Sequence, residues 1–166
     1  MKTLHSILAF LLLIIAGCGK PSEQRTMEQQ LNAEVLTMHE KQMQQLTEIR
    51  DLVGGIDIEL STHDRLAATH PKEYAGRTPD DLIKAKNMLL GAKASMERWM
   101  AEYKMYDPQM KHEDAMAKLS RDKEDLSKVQ AAVDSAIAAA HSALDAERAF
   151  ADRSALKSAP KHTAKP

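Results

Sequence analysis

TPDDLIKAKNMLLGAKASMERWMAEYKMYDP, residues 78–108, is the stretch that decides the fold. Thr78 is a good capping residue, Pro79 suits a first helical position, and Asp81 stands where a capping box wants an acid. Behind that start, Leu82, Ala85, Leu89, Ala92, Met96, Trp99, Tyr103 and Tyr106 follow one another at helical spacing. Asp107 and Pro108 end the run, because the residue before a proline is pushed out of helical geometry. The stretch predicts one capped helix with a narrow apolar seam. Such a seam needs partner helices of the same kind.

Both flanks supply them. Upstream, from about Met27, the stripe runs through Leu31, Val35, Met38, Gln42, Leu46, Ile49 and Val53. Gly54 and Gly55 then weaken the helix, and the spacing resumes with Ile56, Leu60 and Ala67 until Pro71 stops it. A kinked continuation or a short second helix is expected there. Downstream, a third helix is predicted from Pro108 to about Phe150, with Met116, Leu119, Leu126, Val129, Val133, Ile137, Ala140 and Leu144 on one side. Composition agrees: six glycines, six prolines and 4% aromatic residues, with no period-two clusters of β-branched residues. The expected fold class is all-α. It is an elongated antiparallel three-helix bundle over residues 27–153, with long first and third helices and a kink near Gly54 and Gly55.

Folding the helices up, down and up predicts layers. Val35 meets Trp99 and Met116; Met38 meets Met96 and Leu119; Leu46 meets Leu89 and Leu126; Ile49 meets Ala85 and Val129; Val53 meets Leu82 and Val133. Gln42 is the one polar layer. Ile137, Ala140 and Leu144 overshoot the second helix, and segment 56–66 is expected to cover them. Residues 154–166, rich in Lys, Ala and Pro, read as a disordered tail.

The amino terminus speaks of location. Lys2 precedes an apolar run from Leu4 to Ile15 that closes in Ile15, Ala16, Gly17 and Cys18. A short basic start, an apolar middle and small residues before the end form a secretory signal. The run is shorter than the roughly 20 apolar residues a membrane span needs. Its last four residues resemble a lipobox, the site of the lipoprotein signal peptidase. The resemblance implies removal of residues 1–17 and acyl chains, palmitate among them, on Cys18. Residues 18–26 (CGKPSEQRT) then read as a lipidated cysteine and polar tether. Gly19 carries no acidic retention signal, which favours the outer over the inner membrane.

Two further pieces of the mature region carry a family resemblance. Glu34, Val35, Leu36, Thr37, Met38 and His39 form one; Met96 through Tyr103 (MERWMAEY) form the other, with Leu126, Ser127, Lys128 and Val129 adding to them. These stretches resemble small helical lipoproteins of Bacteroidetes-type bacteria, labelled "viral A-type inclusion protein". The resemblance implies a membrane-anchored three-helix bundle and no established activity. A longer segment between Gly54 and Thr78 departs from that pattern.

Candidate chemistry is sparse. A formal charge of −1, from 23 basic and 24 acidic residues, offers no field for nucleic acid. Cys18 is the only cysteine, so the chain forms no internal disulfide. Soft-metal binding of the Cu(I) type is one candidate. Met38, His39 and Met43 lie on neighbouring helical positions, and His112 with Met116 repeats the i, i+4 spacing. The competing reading places Met38, Met96 and Met116 in the core. No G-x-S-x-G, H-E-x-x-H or phosphate-binding glycine loop is present, so no enzyme and no cofactor are expected. Asp80 and Asp81 read as helix-dipole acids. Tyr74 and Tyr106 are the candidate binding aromatics, while Trp99 and Tyr103 are assigned to the core. Lys157, Lys161, His162 and Lys165 make a solubilising tail that can also touch anionic surfaces. The expected function is a lipid-anchored envelope protein with a non-enzymatic interaction or structural role. Its partner is another envelope component or a second copy.

Overall fold

Helix formers and heptad spacing produce three helices: α1 (Ser22–Thr69), α2 (Asp80–Glu102) and α3 (His112–Ser158). The computed structural model describes residues 21–158, with side chains as far as residue 154. Cys18 and residues 1–17 lie outside the described residues, as do Lys161, His162, Lys165 and the side chain of Lys157. Each helix packs against both others, and the described residues contain no strand. The fold is the expected all-α three-helix bundle. No helix among the described residues is long and apolar enough to cross a membrane.

Lengths set the architecture. At about 1.5 Å per residue, the 48 residues of α1 and the 47 of α3 span about 70 Å each, and the 23 of α2 about 35 Å. The short helix therefore covers only the middle of the long parallel pair. The connecting segments 70–79 and 103–111 cover the two ends.

Counting by sevens along α1 gives Glu28, Val35, Gln42, Ile49, Ile56 and His63, and all six are buried. Counting by sevens along α3 gives His112, Leu119, Leu126, Val133, Ala140 and Glu147; the last five are buried and His112 is half-buried. A strict seven-residue repeat keeps one seam turned to its partner over many turns. Pairs 84 residues apart are joined at the two ends and in the middle, by Glu28–His112, Gln42–Leu126 and His63–Glu147. In the middle rung, Gln42 Nε2 donates to the Leu126 carbonyl at 2.8 Å.

This register differs from the expected layers by one helical turn. Leu126 lies beside Gln42 rather than Leu46, and Trp99 lies against His39, its ring tilted to the imidazole, rather than meeting Val35. The cause is the polar rungs: apolar residues alone align equally well one turn away, whereas buried charges must find their partners. Met38, Leu46, Val53, Trp99 and Met116 consequently sit half-buried on the flanks. Leu82, Ala85, Leu89, Ala92 and Met96 of α2 are buried as expected. Segment 56–66 does lie along α3, with Ile56 in one core with Ala140 and Leu144. Ala136, Ala140 and Ala143 form the small side of that core against Leu52, Ile56 and Leu82, the large-to-small matching that fills a core without voids.

The helix ends also differ from expectation. α1 begins at Ser22, inside the stretch read as a tether, because its first turns gain a partner surface at Glu28. α3 begins at His112 rather than Pro108. Asp107 Oδ1 first accepts the Gln109 amide at 2.8 Å and holds a turn. It then continues to Ser158, two turns past Phe150, into residues read as tail. At α2, Pro79 occupies the cap, and the Thr78 hydroxyl donates to Asp80 at 2.7 Å instead of closing a capping box.

α1 runs through Gly54 and Gly55 as one helix, so the segment from Ile56 is a continuation of α1 and not a second helix. Packing of Ile49, Leu52 and Ile56 on either side holds the helix across them. Nothing lies within 4 Å of a methyl group built on Gly54, and its φ is ordinary. Gly54→Ala should therefore raise stability by about 1 kcal/mol. A higher thermal midpoint on unfolding checks this; a lower one would show that the glycines relieve strain.

Candidate functional site

Two polar clusters stand at opposite ends of the seam, and each has the same plan. An acid and an imidazole pair across α1 and α3, and a connecting segment adds one more polar group. At the end near the amino terminus, Glu28 is fully buried. His112 Nδ1 donates to Glu28 Oε1 at 2.9 Å, and the Tyr106 hydroxyl donates to Oε2. Burial, then the bond to Glu28 and its charge, push the Tyr106 phenol up to about 12.

At the far end the roles are exchanged: the imidazole is on α1 and the acid on α3. His63 is 4% exposed and Glu147 7%. His63 Nδ1 donates to Glu147 Oε1 at 3.0 Å, and Arg77 Nη2 donates to Oε2 at 2.5 Å. Aromatic rings seal the cluster. Tyr74 stands edge-on to His63 at 5.2 Å and to Phe150 at 5.1 Å, and the Arg77 guanidinium lies 3.8 Å above the Phe150 ring. Gly76, at φ +73°, supplies the left-handed turn between Tyr74 and Arg77. Both carboxylate oxygens of Glu147 are engaged by cationic or imidazole donors.

The electrostatics follow from that geometry. Burial by itself raises the Glu147 carboxyl, but the hydrogen bonds from His63 and Arg77 and the Arg77 charge outweigh it. They hold the group below its ordinary value. The Tyr74 phenol is raised by burial and by Glu147, and its hydroxyl has no hydrogen-bond partner among the described residues. Beside this cluster, a cavity of about 330 Å³ opens between Leu66, His70, Tyr74 and Ala151, with Glu73 and Asp152 also lining it.

The other candidate residues separate. His39 lies against Trp99, ring centroids 5.4 Å apart, and Trp99 stacks on Tyr103 at 4.7 Å. Met43 is exposed, and Met38 is half-buried. His112 is level with Glu28, eleven residues before His39 on α1, or about 16 Å along the axis. The five proposed metal ligands thus fall into two groups, Met38–His39–Met43 and His112–Met116. The described residues hold no group of three or more His, Cys, Asp or Glu side chains placed to bind a metal ion. Tyr74 is 6% exposed and lines that cavity, and Tyr106 is half-buried and fastened to Glu28. Cys18 lies outside the described residues.

Glu28, His63, Arg77 and Glu147 are the residues that the reading of apolar stripes passed over. A signal for three of them was present. Continuing Val35, Ile49 and Ile56 by sevens lands on Glu28 and His63, and continuing Leu119, Val133 and Ala140 lands on Glu147. Arg77 had no comparable signal, because its place depends on the turn at Gly76.

No protein-family model, no curated protein and no solved structure matches this chain.

The far cluster makes a test. Removing the carboxylate by Glu147→Ala leaves His63 and Arg77 unpaired in a buried site and should cost about 3–5 kcal/mol. Because the folded Glu147 value lies below the unfolded one, its stabilisation is present at neutral pH and disappears as pH falls through the folded value. Denaturant midpoints measured from pH 7 downward should therefore drop more steeply for the native chain than for Glu147→Gln. Parallel curves would remove Glu147 from the account.

Proposed function

We propose that the chain is a bacterial cell-envelope lipoprotein, anchored through acyl chains on Cys18, whose bundle serves as a non-enzymatic spacer and interaction module. The observation that carries this reading is the short link between anchor and rod. Only residues 19–21 separate Cys18 from Ser22, the first residue of a 48-residue helix. Acylation would hold the Glu28 end beside the bilayer and present the His63–Glu147 end about 50 Å farther out, at the helical rise per residue. The far end, with its ring-sealed cluster and adjoining cavity, is the surface best placed to meet an envelope partner or a second copy. Gly19 directs the protein to the outer membrane in this reading. The non-enzymatic part rests on the far cluster: His63 is buried, and each oxygen of the buried Glu147 already holds a donor.

Expression of the full chain in a bacterial host tests the anchor. The mature protein should begin at Cys18, carry the mass of its acyl chains and fractionate with membranes. Cys18→Ala should leave the precursor uncleaved at this site and unacylated. Normal processing of that variant would overturn the reading.

One observation favours soft-metal binding as a second reading. His39 Nε2 is buried with no hydrogen-bond partner among the described residues, and Met38 and Met43 are its neighbours on α1. A competitive Cu(I) titration followed by Trp99 fluorescence decides it. Stoichiometric binding lost in His39→Ala would carry this reading, and absence of binding would remove it.

A further inference from the structure

Met105 is 85% exposed, the most exposed large apolar side chain among the described residues. It lies in segment 103–111, between Lys104 and Tyr106, and Lys111 closes the segment; both lysines are exposed. That segment is held against the start of α1, because the Tyr106 hydroxyl and His112 Nδ1 both bond the Glu28 carboxylate. The residue before Glu28 is Met27, itself 49% exposed. Two unpaired methionines, far apart in sequence, are thus brought to one end of the rod. It is the end from which the chain leaves toward Cys18.

The geometry points to a membrane-contact site: Met105 and Met27 seat in the interfacial layer of the bilayer that anchors the protein. This rests on the lipoprotein reading above. The length of chain outside the helix argues for the lipid surface as occupant. Four Cα steps from Cys18 to Ser22 reach at most about 14 Å, at roughly 3.5 Å per residue. Six further residues of helix add about 9 Å before Glu28. That reach is short enough for an anchor on Cys18 to bring the whole end to the headgroups.

Methionine suits this position, since its flexible thioether side chain adapts to an irregular apolar surface. Lys104 and Lys111 can lay their stems along that surface and keep their ammonium groups at the phosphates. The same end also carries Glu23, Glu102, Asp107, Glu113 and Asp114 against Arg25 and the two lysines. The acids outnumber the cations there, so the contact rests on the apolar side chains and gains nothing from anionic lipid. Two methionines bind a bilayer weakly by themselves, but the acyl anchor raises their effective concentration at it, so a weak contact stays made. The rod is then held at a set angle to the membrane, where the tether alone would let it swivel.

Acylated full-length protein in phosphatidylcholine vesicles provides the test. Cys18 is consumed by acylation, so a thiol introduced by Met105→Cys or Met27→Cys takes an environment-sensitive fluorophore alone. Glu73→Cys, on an exposed residue at the far end, is the reference. At positions 105 and 27, emission should move to shorter wavelength and be quenched by lipids carrying a nitroxide near the headgroup. Position 73 should show neither effect. Adding anionic phosphatidylglycerol should strengthen neither effect, and a marked strengthening would overturn the apolar account. Quenching at 105 no greater than at 73, in protein of proven acyl mass that floats with the vesicles, overturns the contact and leaves the anchor standing. A shift at 105 without quenching by the lipid nitroxide marks protein–protein contact and also overturns it. If the mass shows no acyl chain on Cys18, the anchor fails first and the contact fails with it.

Discussion

Six rungs spaced by seven residues join α1 to α3, and the outermost two are acid–imidazole pairs rather than apolar contacts. Apolar rungs tolerate a slip along the helix axis; these do not. A slip of one heptad would set Glu28 against Leu119, or Ile56 against Glu147, with each carboxylate buried and unpaired. Stranding a buried charge in this way costs several kcal/mol, a large part of the net stability of a small domain. The exchanged order of acid and imidazole acts in the same direction. Two copies of α1 laid parallel and in register would stack Glu28 on Glu28 and His63 on His63, so the seam prefers α3. The central Gln42 rung repeats the device with a single hydrogen bond to a backbone carbonyl.

The connecting segments complete what α2 leaves undone. Because α2 spans only about half of the long pair, the terminal rungs would face water on the third side. Tyr106 from one connection and Arg77 from the other close those sides, each bonded to the acid of its rung. Surface ion pairs such as Lys123–Glu34 and Lys86–Asp57 decorate the helices and contribute little by comparison. The rigid frame is thus a middle held by leucine, isoleucine and alanine, and two ends held by polar locks.

Much of this was legible in the sequence, and the parts that were not share a cause. The stripe of α2 and the three-helix architecture follow from apolar spacing, which burial of an amphipathic face enforces. The register was a turn off because charged residues were assigned to the solvated side, where most of them belong. Glu28, His63 and Glu147 are exceptions that only the count by sevens betrays. Gly54 and Gly55 left two readings open, a continued helix or a separate one, and the first holds. Their intrinsic penalty is about 1 kcal/mol each, and packing by Ile49, Leu52 and Ile56 exceeds it. Tyr74 falls in a loop, and its burial beside His63 depends on the turn at Gly76, which no apolar spacing announces.

The parallel course of α1 and α3 has a mechanical consequence. A pull that enters at the start of α1 and leaves at the far end of α3 runs along both axes in opposite directions. Such a load shears the seam, so the six rungs resist it together instead of opening one after another as in a zipper. The end locks then act as stops against sliding. A rod built in this way is stiff to tension along its length, while a sideways force on either connecting segment meets only one lock at a time.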